Sequence, residues 1–234
     1  MSALIARSRT ALLVLSVPIL LLLPVIAGTV RPAVAGEAER IVDRARILLD
    51  DMREDPDFRH MRVYLRNAYG VVIVPRLLRG GFILGAQFGR GVLVVRDPQS
   101  GRWSDPVFVT LAGGSVGLQI GGQATDLVVT VMNRGAVDKM LRSEFKIGVD
   151  ASAALGPVGA GIGAGTTTRF GEDLYLFAKN IGLYAGMTLE GAVIAVDTAL
   201  IREYYGRPVP ASRIAAGEVS RPHAEALRRA LARF

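Results

Sequence analysis

Few residues of this 234-residue chain are of types that do chemistry, and their spacing narrows them further. Gly113-Gly114-Ser115-Val116-Gly117 matches G-x-S-x-G, the nucleophile elbow that holds a serine on a sharp turn between a strand and a helix. Here the residues after the serine alternate with period two, and the next helix is expected only from Asn133, so the elbow's context is missing. The histidine downstream is His223 in the terminal helical segment, while His60 sits among arginines as a surface residue. Two histidines and no cysteine leave little for a transition metal and exclude disulfides and a lipid-modified N-terminal cysteine. Asp126 and Asp150 read as strand-end acids that accept local hydrogen bonds or pair with a basic residue, rather than as a catalytic pair. Gly156 to Gly165 lacks dinucleotide-fingerprint spacing, and no Gly-Lys-Ser/Thr is present for a phosphate loop. No cofactor is expected, and a lipid-acting serine hydrolase is a remote alternative.

What survives is Pro75-Arg76-Leu77-Leu78-Arg79-Gly80-Gly81, expected as a loop joining two strands. Either the leucines fold back into the core and the arginines are solvated, or the leucines point outward. In the second case the loop dips into a lipid surface while the arginines meet phosphates. Burying both leucines would yield roughly 3 to 6 kcal/mol gross. Lys146 and Lys179 complete the candidate lipid-binding set of Arg76, Leu77, Leu78, Arg79, Lys146 and Lys179. No catalytic residue and no metal ligand is assigned.

Positioning these residues falls to elements that the hydrophobic periods mark out. Gly113 to Met132 alternates strictly from Ser115 to Thr125 and then turns apolar, so it is predicted as the centre of a sheet, covered on both faces near Leu127 to Met132. Glu37 to Glu54 is predicted as a helix docked through Ile41, Ala45, Leu48 and Met52. Asp55-Pro56 starts a second helix, whose buried side is Phe58, Met61, Leu65 and Ala68. Val71 to Val74 is a strand ended by Pro75, and Phe82 to Arg96 a longer one in which Gly85, Gly89 and Gly91 mark a turn or bulges. Trp103 to Leu111 is the next strand, and Asn133 caps a helix running to Glu144. Lys146 to Leu155 alternates with Ile147, Val149, Ala151, Ala153 and Leu155 inward, and Leu174 to Lys179 with Leu183 to Val196 form a hairpin around Asn180. Helices at Thr198 to Tyr205 and Arg221 to Arg233 close the chain.

The N-terminus reads as an export signal: Arg7 and Arg9, an apolar Ala11 to Ala27 interrupted by Pro18 and Pro24, then Ala33-Val34-Ala35 before Gly36. An uncleaved inner-membrane anchor is the alternative, but the apolar run is short of the roughly 20 residues a span needs. The net charge of +7 includes Arg7, Arg9 and Arg31, so the mature chain carries only a mild basic excess, too weak to argue for nucleic acid. The expected chain is therefore residues 1–35 as signal peptide and 36–234 as one mature domain, periplasmic or secreted and membrane-associated.

GVVIVPRLLRGGFILGAQFGRGVLVVRD, GRWSDPVFVTLAGGSVGLQIGGQATDLVVTVMN, FKIGVDASAALGPVGAG and YLFAKNIGLYAGMTLEGAVI together resemble the SYLF domain family over about Ala38 to Gly206. That family comprises lipid-binding domains of bacterial exported proteins and of eukaryotic actin-patch and phosphoinositide-binding proteins. The resemblance implies phospholipid or phosphoinositide binding without catalysis. Two features depart from it. The first helix is acidic where eukaryotic members are associated with a membrane-active amphipathic helix, and a bacterial-looking leader argues against actin regulation. The expectation is one α+β domain, mainly antiparallel sheet with flanking N- and C-terminal helices, binding anionic phospholipid. The rival is a structural or scaffolding envelope protein that meets a protein partner through its glycine-lined sheet face.

Overall fold

The computed structural model describes residues 36–81, 84–116, 121–142, 144–156, 171–181, 189 and 191–234. The expected signal peptide and the segment 157–170 lie outside them. Ala35–Phe234 forms one compact unit.

Helix α1 (Glu37–Glu54) docks through Ile41, Ala45, Leu48 and Met52 as its spacing predicts, and Ala38, Val42 and Leu49 widen the buried stripe. No side chain of its own caps it; its Ala38 N–H donates instead to Glu203 Oε1 at 3.0 Å. Asp55 accepts from Asp57 N–H and opens a 3-10 turn at Pro56–Phe58 before α2 (Met61–Asn67). Phe58, Met61, Leu65 and Ala68 are buried.

Strands β1 (Gly70–Gly81), β2 (Leu84–Val95), β3 (Val107–Val116) and β4 (Gly121–Val131) follow. Helix α3 (Arg134–Arg142), whose Gly135 N–H is taken by Asn133 Oδ1 at 2.7 Å, separates them from β5 (Phe145–Lys146), β6 (Ala153–Leu155), β7 (Leu174–Ile181) and β8 (Val193–Val196). Helices α4 (Thr198–Tyr205), α5 (Ala211–Ala215) and α6 (Glu225–Ala232) end the chain. The strand order is β5-β8-β3-β2-β1-β4-β7-β6, antiparallel except for the β6–β7 pair. The sheet must curl. Seven steps at about 4.8 Å would put its two edges roughly 34 Å apart if flat, while Lys146 and Ala153 are joined by a segment that reaches at most about 24 Å. That segment is tightened further by a turn at Gly148, φ 81°, and a bridge between Ile147 and Ala151.

Four expectations are corrected. The sheet's centre is the β1–β2 hairpin, with β3 and β4 on either side of it, rather than the Gly113 to Met132 stretch. Leu127 to Val131 is nonetheless buried on both faces, as its apolar run requires. The turn at Gly148 splits the predicted Lys146 to Leu155 strand, leaving Val149 74% exposed. β7 and β8 do not pair with each other, since β7 lies between β4 and β6 and β8 between β3 and β5, and 182–188 of the expected hairpin lie outside the described residues. Pro75 does not end β1, which runs on as a strand where a loop was expected.

Proline fits there because β1 bulges. Ile73 pairs with Val92 and Leu78 with Phe88, while Val74 pairs with Leu127 and Leu77 with Thr125, so β1 carries one extra residue against each neighbour. The bulge falls on Pro75-Arg76, where a missing N–H breaks no ladder. Arg76 takes φ 66°, and its N–H donates to Asp126 Oδ1 at 2.9 Å. Gly89 and Gly91 seat the bulge: a Cβ on Gly91 would lie 2.2 Å from Ile73 O, and one on Gly89 2.6 Å from Val74 Cγ1.

Candidate docking surface

Cross-strand pairs point to the same side of a sheet, so register alone assigns the two faces. One face carries Val92, Ile73, Val128 and Phe177 in register and is covered by helices: Tyr64 of α2 packs at a tilt or edge-on against Tyr175 and Phe177, and Tyr204 of α4 at a tilt against Phe108. The helical layer stops at a charged belt. Arg90 meets Glu37 of α1 at 2.7 Å and Asp197, the cap of α4, at 3.6 Å. Lys179 meets Asp55 at 3.1 Å, and Asp126, opposite Lys179, takes the Arg76 N–H.

Above this belt no other described element covers the same face. Ala112, Phe88, Leu78 and Ala124 follow one another in register across β3, β2, β1 and β4. Phe88 is 48% and Leu78 50% exposed. Gly114, Ala86 and Gly80 form the next row, so no bulky side chain of that row screens the two large ones. A shallow depression of about 570 Å³ lies between Leu78, Ala86, Phe88 and Ala124. Lys146 is in line with this row through Val193 and stands exposed at its end, five strand steps or about 24 Å along the curled sheet from Ala124.

The other face is closed at Leu77, Gln87, Gly113 and Thr125, while 117–120 of the predicted polar face lie outside the described residues. Leu77 is 1% exposed, Thr125 is buried beside it in register, and Gln87 is 2% exposed, accepting from Arg79 Nη2 at 3.0 Å. A Cβ on Gly113 would meet Ala192 and Gln87 at 3.0 Å, so the predicted polar, glycine-lined face is shut at Gly113 and Thr125. Of the candidate set, Leu78 and Lys146 share the bare row, and Arg76 and Lys179 lie in the belt beneath it. Leu77 and Arg79 turn the other way, so the expectation that both leucines act together is corrected for Leu77. Phe88 takes its place; an aromatic in a Gly-x-Gly-rich strand, at alternating spacing from Ala86, was the available signal.

The acids behave as local acceptors. Lys139 Nζ at 2.6 Å and the Lys146 N–H hold the Asp150 carboxyl below the usual range. Asn133, then the Ser152 N–H and hydroxyl, do the same for Asp173, although burial opposes it. Asp105, 1% exposed, is the reverse case: burial pushes its carboxyl up, against the Arg221 N–H and Arg228 that favour the charged form. Ser115 lies within β3 opposite Gly85, on a strand rather than an elbow. His223 is committed elsewhere, between Tyr204 OH and Asp43, each at 3.2 Å.

A family profile described as Ysc84, a Las17-binding protein actin regulator, matches residues 112–234. The chain is similar to an SH3 domain-containing protein of Schizosaccharomyces pombe, 34% identical over 163 residues, covering 68% of this chain and 37% of that protein. SH3 domain-containing YSC84-like protein 1 of Xenopus laevis is 30% identical over 160 residues, 68% of this chain and 47% of that protein. LAS seventeen-binding protein 3 of Saccharomyces cerevisiae is 31% identical over 165 residues, 68% of this chain and 35% of that protein. The chain thus spans less than half the length of these relatives.

Proposed function

The chain belongs to the Ysc84/SYLF domain family, and from that premise we propose that it is a non-catalytic module docking on anionic phospholipid through the bare end of its sheet. The observation that carries this reading is the exposed row Ala112, Phe88, Leu78 and Ala124 beyond the last helix, with Lys146 at its end and Arg76 beneath. Leu78 and Phe88 are half exposed, so inserting them would gain about 2 kcal/mol gross. Each cation near an anionic leaflet adds about 1 kcal/mol. The sum gives weak, reversible attachment.

A second reading, a scaffold for a protein partner, draws on relatives whose names describe Las17 binding. Co-sedimentation of residues 36–234 with phosphatidylserine-rich liposomes separates the two. Binding that is lost in Leu78→Asp/Phe88→Asp and kept in a surface control supports docking. A wild-type domain that stays in the supernatant at low salt overturns it.

A further inference from the structure

At the far end of β2, eight residues or roughly 26 Å along the strand from Phe88, lies a second surface. Arg96 pairs with Trp103 across the turn that follows β2. That turn and the segment from α5 to α6 enclose a cleft of about 760 Å³, lined by Arg102, Trp103, Asp105, Arg228 and Arg229 among others. Its acids are already committed. Asp97 accepts the N–H groups of Gln99 and Ser100, Asp105 is held by Arg228 and the Arg221 N–H, and Glu225 meets Arg228 at 2.6 Å. Arg96 is committed too, bonded to the carbonyls of Gly101 and Arg66 and lying 5.0 Å over the Trp103 ring.

What remains open is made of donors. Trp103 is 6% exposed, and its indole Nε1, which can only donate, is buried without a partner among the described residues. Arg102 is exposed and makes no ion pair within 4 Å among the described residues. Arg229 is 67% exposed and reaches Glu225 only at 3.7 Å. A ligand here must therefore bring acceptors and negative charge. The volume holds several peptide residues rather than a single phosphate, and Ala215, Ala216, Val219 and Ala232 add apolar wall.

We propose that this cleft binds an acidic peptide segment of a protein partner, its carboxylates taken by Arg102 and Arg229 beside Trp103. The site is independent of the membrane reading. Trp103 is the sole tryptophan of the chain, so its fluorescence reports occupancy directly. The full chain in nonionic detergent is titrated with a blocked pentaglutamate peptide, with pentaglutamine and inorganic phosphate as controls. Pentaglutamate is expected to change the emission saturably and pentaglutamine not. Arg102→Glu/Arg229→Glu should weaken binding at least tenfold with an unchanged circular dichroism spectrum. Leu78→Asp should bind the peptide like wild type. The proposal is overturned if millimolar pentaglutamate gives no saturable change, if the charge-reversed variant binds as well, if phosphate saturates the site equally, or if Leu78→Asp abolishes binding.

Discussion

Arg76 holds a left-handed backbone that L-residues other than glycine rarely adopt, and it does so in the middle of a sheet. The strain is held by the bulge around it and by Asp126, which takes its N–H. Arg76→Gly should therefore be neutral or stabilising by up to about 1 kcal/mol, measured by urea unfolding. Gly91→Val should cost about 2 to 3 kcal/mol, because the β1 backbone leaves no room for a Cβ and cannot swing aside as a side-chain tip would. The adjacent leucines make the sharpest contrast. Leu77→Asp buries an unpaired carboxylate and should cost more than about 3 kcal/mol or prevent folding. Leu78→Asp should leave the melting temperature nearly unchanged while lowering liposome binding at least tenfold, if the bare row inserts.

Among the elements, the β5–β6 connection depends on two carboxylates. Asp150 ties it to α3 through Lys139, and Asp173 ties Ser152 to Asn133. Both carboxyls are held below the ordinary value of 3.8, so in each the folded state favours the charged form. Their contribution is fully present above about pH 4 and is lost as pH falls through the folded-state values. Melting curves between pH 5 and 2 should thus be flatter for Asp150→Asn/Asp173→Asn than for wild type. Asp105 works with the opposite sign. Its raised carboxyl makes the charged form a cost at neutral pH that Arg228 offsets. Arg228→Met should destabilise by about 3 to 5 kcal/mol at pH 7 and recover part of that loss as pH drops and Asp105 protonates.

Among the described residues of the whole molecule, a helix layer covers one end of the curled sheet and leaves the other bare. Attachment that combines a small apolar gain with exposed cations should weaken steeply between low and physiological salt, since such charges are screened within about 10 Å at 0.1 M. Liposome binding that is flat in salt would leave Lys146 and Arg76 without a role. We also propose export: a chain purified from the envelope fraction should begin at Gly36 by mass spectrometry, and an intact Met1 would overturn that.

The sequence by itself determined the elements. Apolar spacing fixed the first helix and the buried sides of both N-terminal helical segments, Asn133 fixed a helix start, and the Leu127 to Val131 run fixed a strand buried on both faces. These signals are local, because capping and amphipathic period need only neighbouring residues. Which strands pair, and hence where the sheet's centre lies, depended on contacts distant in sequence, and so the expected central place of Gly113 to Met132 and the single Lys146 to Leu155 strand gave way. The bulge decided the most consequential feature. Strict alternation through Pro75 and Arg76 would have buried Leu78 and exposed Leu77; one extra residue, accommodated by Gly89 and Gly91 on the neighbouring strand, reversed the phase and turned Leu78 outward beside Phe88.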